Sequence, residues 1–201
     1  MDPSSDNTTP DYLDLPLREF LELVASDSPA PGGGSVAAVA VALAAGLAVM
    51  AARLSTDRMA DAAKLADHAD ASRRSVAPLA RADAESYGRV LDALRLPRDA
   101  ETRTERIKDA LSGAADVPLA VAEAGSEIAG IAARLVEEGN PNLKGDAMTA
   151  VFLADAGVNA SAALAEINLS SANVQDDRLG RAQELVDLTA AAVRRAAEDP
   201  G

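Results

Sequence analysis

Apolar and charged residues alternate at helical spacing along most of the chain, with two exceptions. Ser28 to Ala52 carries no charge at all, and Ala147 to about Leu169 is mostly apolar. Strand signals are nearly absent: there is no Asn-Gly or Asp-Gly hairpin and no sustained period-two alternation. The pattern predicts a first helix capped by Asp14, with Pro16 near its first turn, ending near Ala25. An apolar helix follows from Ser35 to about Leu54. Ser55, Thr56 and Asp57 then offer caps for an alanine-rich helix that Pro78 interrupts. A helix over 79–96 ends at Pro97, and another over 101–116 is separated by Pro118 from one over 119–138. Gly139 stops that helix, a polar loop covers 139–146, and the second apolar helix begins at Ala147. The last helix runs from about Asp177 to Ala197. The expected fold is all-α: a bundle of about seven to eight helices around the two buried, small-residue helices. Residues 1–11 read as a disordered lead and 12–199 as a single domain.

The chain has 201 residues, enough for a sizeable core, but only 2% of them are aromatic and alanine is the commonest apolar residue. Small side chains bury little area each, so many helices or a subunit interface must supply the burial. The net charge of −13 argues against a nucleic-acid partner and against docking on an anionic membrane surface. Without cysteine there is no disulfide, thiol nucleophile or thiolate metal site, and one histidine makes a histidine-based metal centre a poor expectation. Neither a metal nor a cofactor is expected. The amino terminus has no basic region before an apolar one, so the cytoplasm is the expected location. Ser28 to Ala52 is long enough to span a bilayer. Its alanine, glycine and valine content fits better a helix buried on all sides of a soluble protein.

Gly32-Gly33-Gly34 opens that helix, with Ser35 placed to cap it. Two readings stand side by side. The uncovered backbone N–H groups form a site for a carboxylate or phosphate, or the glycines simply let the helix start close against its neighbours. The string GGGSVA satisfies a dinucleotide pattern only formally, because no buried strand precedes it. No Gly-Lys-Ser/Thr follows, so a phosphate loop of that kind is excluded as well.

The stretch "FLELVASDSPAPGGGSVAAVAVALAAGLAVMAARLS" resembles the opening of the formiminotransferase-cyclodeaminase and methenyltetrahydrofolate cyclohydrolase family. "ADAESYGRVLDALRLPRD", "AADVPLAVAE" and "EEGNPNLKGDAMTAVFLADAGVNASAALAEINLSS" resemble its later motifs in the same order, from about Phe20 to Ser171. The resemblance implies an all-helical homodimer formed through long helices, with a tetrahydrofolate derivative bound near the glycine turn. It implies one of two reactions. A cyclodeaminase converts 5-formiminotetrahydrofolate to 5,10-methenyltetrahydrofolate and ammonia; a cyclohydrolase adds water to the methenyl carbon. The chain departs from the family in having Gly145 before Asp146 and "LSTDRMADA" in place of a lysine-rich stretch, where Arg58 is the basic group on offer.

Asp83 and Asp146 match motif aspartates and are the expected catalytic pair, since carboxylates are the natural proton carriers in a chain without cysteine and with one histidine. Read without the resemblance, Asp83 is a solvated helix residue and Asp146 an N-cap. Gly32, Gly33, Gly34 and Ser35 are expected at the substrate, as are Asn140 and Asn142, which otherwise serve as turn formers. Lys144 is placed to meet the glutamate tail of a folate. Asp155 and Asn159, four residues apart on an apolar helix, pair together or face a cavity or partner subunit. Asn168 either contacts substrate or terminates its helix. His68 lies among acidic neighbours and reads as a surface residue, and the runs "RTERIK" and "DDRLGR" as solvated helix faces. The leading expectation is a cyclodeaminase, ahead of a cyclohydrolase, with a non-enzymatic helical dimer or binding module as the alternative from another class.

Overall fold

The computed structural model describes residues 9–198, which form eight α-helices and two short 3-10 helices, with no strand among them. The helices are α1 (Leu17–Val24), α2 (Gly33–Arg53), α3 (Ala62–Val76), α4 (Leu79–Leu94), α5 (Arg103–Gly113), α6 (Asp116–Glu138), α7 (Lys144–Ser171) and α8 (Asp177–Glu198). Most of the expected disordered lead, residues 1–8, and the last three residues of the chain lie outside the described residues. Asp11 is inside them, and its carboxylate caps the 3-10 helix Tyr12–Asp14 by accepting from the Leu13 N–H at 3.0 Å.

Three helices make the centre, because glycine and alanine let their backbones approach closely. Val41 of α2 is fully buried and sits between Gly125 of α6 and Gly157 of α7. A Cβ at Gly157 would collide with the Val41 side chain, and one at Gly125 would lie 2.6 Å from Val158 and 3.2 Å from Val41. Further along, Ala44, Ala48 and Ala52 meet Ile128, Ala132 and Ala150 in one apolar cluster. Each alanine buries little area, and the close approach compensates through many weak contacts. The sequence pattern anticipates α2 and α7 at the centre but misses α6, whose charged residues lie at its rim.

Helices α2 and α7 run antiparallel. Gly33, at the start of α2, faces Leu164 near the end of α7. At the other end, the Asn140 side chain just before α7 donates to the carbonyl of Leu54 at 3.0 Å, and the Asn140 N–H donates to Ser55 Oγ at 2.9 Å. Neither helix is enclosed on all sides, contrary to expectation. On α2 the exposed Val36, Leu43 and Met50 recur every seven residues, with Leu43 59% exposed. Phe152 of α7 is 51% exposed. By length and composition alone, α2 and the segment Pro141–Ser171 could each cross a membrane, yet both are packed among other helices here.

Several local expectations change. Pro118 does not separate two helices; it lies in the first turn of α6, where its missing N–H has no intrahelical partner to lose. Helix α7 begins at Lys144 rather than Ala147, so Asp146 is in its first turn and Leu143 is the N-cap residue. Asp14 ends a 3-10 helix, and Pro16 precedes α1 as its N-cap. Ser55, Thr56 and Asp57 lie in turns, and α3 starts only after Asp61.

Candidate active site

The glycine turn, α4, the start of α6 and the last turns of α7 enclose a cavity of about 270 Å³. Gly32, Gly33 and Gly34 form one wall, and Asp83, Ala84, Ser86 and Tyr87 of α4 form another. Ala114 and Pro118 close it on the α6 side, with Leu164, Ile167 and Asn168 on the α7 side. Asp83 is the only charged residue in this lining.

Asp83 occupies the place where a ligand's anion was anticipated. Its carboxyl group accepts from the backbone N–H of Ser35, in the first turn of α2, and lies 3.2 Å from the Ser35 hydroxyl. The exposed donors of the helix start are thus met from another helix, and Ser35 is not the cap: Gly32 holds that position without a side-chain bond. The chain's own carboxyl group takes the site that the positive end of α2 offers. Gly34 is required for this arrangement, since a Cβ there would collide with the Asp83 carboxyl group. Gly32 has open space around it, and a Cβ on Gly33 would make only an ordinary 3.8 Å contact.

Burial pushes the Asp83 carboxyl up from its ordinary range, and its bonds to Ser35 only partly oppose this. Ser35 Oγ lies 2.7 Å from the Ala80 carbonyl oxygen, which can only accept. The same hydroxyl lies 3.2 Å from Asp83 Oδ2, toward which it can also donate, so Ser35 favours the carboxylate while burial opposes it. Tyr12 is also shifted up, by burial first and by the nearby Asp83 charge second.

Asn168 reaches the same cavity and donates through Nδ2 to the Ala114 carbonyl at 3.0 Å, so it both lines the cavity and braces the start of α6. Tyr87 shares the lining with Asp83, as their spacing of one helical turn anticipates. Ser86, Leu164 and Ile167 are additions that sequence reasoning missed. Ser86 is 2% exposed and its hydroxyl has no hydrogen-bond partner. A lone serine between a glutamate and a tyrosine carries no sequence signal for that.

The remaining candidates are elsewhere. Asn140, Asn142, Lys144 and Asp146 lie at the start of α7, and 22 residues of helix place Asp146 about 33 Å along the axis from Asn168. The Asn140 amide is committed to Leu54, and its Oδ1 accepts from the Asn142 N–H at 3.1 Å, as a turn-forming asparagine does. Asp155 and Asn159 pair together, with Nδ2 donating at 2.9 Å to Oδ1. Asn159 borders a separate depression between α7 and α8. His68 is a surface residue as anticipated, 3.4 Å from Glu127, with both side chains more than half exposed. Among the described residues no group of three or more His, Asp or Glu is placed to hold a metal ion.

With this geometry in place, comparisons with known proteins give a consistent result. The family model described as formiminotransferase-cyclodeaminase matches residues 16–185. A methenyltetrahydrofolate cyclohydrolase of Methylorubrum extorquens is 31% identical over 182 residues, which cover 86% of this chain and 86% of that protein. The formimidoyltransferase-cyclodeaminase of Rattus norvegicus is 33% identical over 161 residues; these cover 73% of this chain but only 29% of that longer protein. The crystal structure of a formiminotetrahydrofolate cyclodeaminase from Thermotoga maritima superposes with a TM-score of 0.83 at 26% identity, covering 92% of this chain and 96% of that one. The chain belongs to the formiminotransferase-cyclodeaminase family.

Proposed function

We propose that the chain is a formiminotetrahydrofolate cyclodeaminase and that Asp83 carries its proton transfers. The observation that supports this most directly is a half-buried carboxyl group, shifted upward by burial, in a mostly apolar cavity. Ring closure joins N10 of the folate to the carbon of the protonated formimino group, moves the N10 proton to the former imino nitrogen, which then carries three hydrogens, and breaks its bond to carbon, releasing ammonia and leaving the methenyl cation. A carboxyl group poised toward neutrality can take the first proton and return it to the leaving nitrogen. The apolar walls hold the pterin and exclude water, which favours closure over hydrolysis. Gly32, Gly33, Gly34, Ser35 and Asn168 frame the bound substrate, and Asp83 is the carboxyl group of the site.

The cyclohydrolase reading has one observation in its favour: the Methylorubrum extorquens protein aligns with this chain over 86% of both lengths. In that reaction Asp83 acts as the base that orients water against the methenyl carbon. The chain is read as a soluble, cytoplasmic homodimer that uses no cofactor and has no nucleic-acid or membrane partner. The net charge of −13 and the apolar face of α2 and α7 support that reading.

The test follows the methenyltetrahydrofolate chromophore. With 5-formiminotetrahydrofolate, the chromophore is expected to appear faster than in the blank, with ammonia released in equal amount. Faster loss of added methenyltetrahydrofolate, with no effect on the formimino compound, makes the protein a cyclohydrolase. No change with either compound defeats the folate assignment and leaves a helical scaffold or a site for another substrate.

A further inference from the structure

Six serine and threonine side chains are buried among the described residues, and four of them have hydrogen-bond partners. Ser55 and Thr189 donate to the carbonyls of Ala51 and Leu185, four residues back, at 2.7 and 2.8 Å. Ser35 donates to the Ala80 carbonyl at 2.7 Å, and Ser72 to Glu127 at 3.3 Å. The exceptions are Ser86 of α4 and Ser161 of α7, 2% and 0% exposed, whose hydroxyls meet no partner. A buried hydroxyl in that condition destabilises the fold, so each calls for a reason.

The two differ in what lies beside them. Ser161 is not among the residues lining the glycine cavity, whereas Ser86 is. Ser86 stands three residues after Asp83, so both side chains meet the cavity from the same side of α4, within one turn. Four polar side chains line the cavity. Asp83 is engaged by Ser35, and Asn168 by the Ala114 carbonyl. Tyr87 is 45% exposed and has access to solvent. Ser86 alone is withdrawn from water with its bonding capacity unused. The other lining side chains are those of glycine, alanine, proline, leucine and isoleucine, which offer no hydrogen bond.

We propose that Ser86 is a substrate-binding residue: its hydroxyl accepts an N–H of the formimino nitrogen and holds that nitrogen beside Asp83 until it leaves as ammonia. This rests on the cyclodeaminase reading. The nitrogen carries two hydrogens in the protonated formimino group and three when it departs, so it has a donor for Ser86 throughout. Positive charge is spread over the formimino group at first and concentrates on the nitrogen once the N10 proton arrives. A fixed acceptor therefore binds that nitrogen more strongly as its bond to carbon weakens, which lowers the barrier as well as holding the substrate. No bond to Ser86 forms or breaks, and the transferred proton travels through Asp83.

Ser86→Ala removes the hydroxyl alone, and Ser161→Ala is the matched control. Both variants are expected to have a Tm equal to or above that of wild type, because each loses an unpartnered buried hydroxyl. Their activities should part. Ser86→Ala is expected to lower kcat for 5-formiminotetrahydrofolate by about 10–100-fold, the worth of one hydrogen bond to a charged group, with KM changed far less. Ser161→Ala is expected to keep the wild-type kcat. A wild-type kcat in Ser86→Ala overturns the proposal, and so does an equal loss in Ser161→Ala. A raised KM at unchanged kcat overturns it too, since the contact is then with a part of the folate that does not react. If Ser86→Ala loses kcat and Tm together, the hydroxyl is a structural bond of the free protein and the proposal fails. Wild type that turns over neither folate, or only the methenyl compound, removes the cyclodeaminase reading and this contact with it. That result is told apart from the others because it appears before any variant is made.

Discussion

Asp83 holds its carboxyl group against the start of α2 in a position that favours activity over stability. Burial raises its pKa in the folded chain above the unfolded value of 3.8. Between those two values the folded state keeps a proton that the unfolded state has lost, so stability falls as pH rises through the interval and then levels off. Below 3.8 both states are protonated and the effect disappears. Asp83→Asn keeps the shape and the acceptor for the Ser35 N–H but cannot ionise. It is expected to lower turnover by about 10²–10⁴-fold, the usual contribution of a proton-transfer group, while its Tm at pH 8 equals or exceeds that of wild type. Urea unfolding from pH 4 to 8 checks the sign: the stability of the variant relative to wild type should grow with pH. A variant that becomes relatively weaker as pH rises would show that the Asp83 carboxylate is held by a favourable charge partner instead. The neighbouring glycines give a second test. Gly34→Ala places a methyl group against the carboxyl group and is expected to cost about 1–3 kcal/mol with loss of activity. Gly32→Ala meets open space and should change stability little, so equal effects at the two positions would contradict a specific role for Gly34.

At the scale of elements, Ser55 ties three of them together. Its hydroxyl donates to the Ala51 carbonyl at 2.7 Å and accepts the Asn140 N–H at 2.9 Å, joining the end of α2 to the connection between α6 and α7. Gly139, which ends α6, is required there by space, since a Cβ would collide with the Leu135 carbonyl oxygen and lie 3.1 Å from Ser55 Oγ. Ser55→Ala leaves the Asn140 N–H without its acceptor and is expected to cost about 1–3 kcal/mol in urea unfolding, with no loss of helix content by circular dichroism. Helical periodicity made seven of the eight helices legible to within a few residues. The misplaced boundary at Pro118 has a local cause, because proline is tolerated in a first turn and forbidden only in the interior. The roles of Ser35 and Gly34 were not legible, because both depend on Asp83, 48 and 49 residues away, and a long-range cap leaves no trace in spacing. The resemblance picked out Asp83, Asn168 and the glycine turn, which the fold brings together. It also picked out Asn140, Asn142 and Asp146, which lie at the other end of α7.

For the whole molecule the controlling quantity is apolar area. With 2% aromatic residues and a core built on alanine, burial inside one chain is modest, and Leu43, Met50 and Phe152 remain exposed. Exposed apolar area of that extent on a soluble chain marks a binding surface. The same face explains why α2 passes for a membrane span by composition: it must satisfy alanine-rich neighbours on one side and a second apolar surface on the other. Leu43 is the position where these demands separate, because its side chain is 59% exposed and its removal opens no cavity in the core. Leu43→Lys places a charge in the middle of the face. Covered by a second copy, that lysine loses water, which costs far more than the exposed leucine contributes to one chain. The variant is expected to be monomeric by light scattering at micromolar concentration, with unchanged helix content and a Tm that no longer rises with protein concentration. Wild type should remain dimeric under the same conditions. If Leu43→Lys stays dimeric, the face that joins two copies lies elsewhere, and the apolar stripe of α2 needs another occupant.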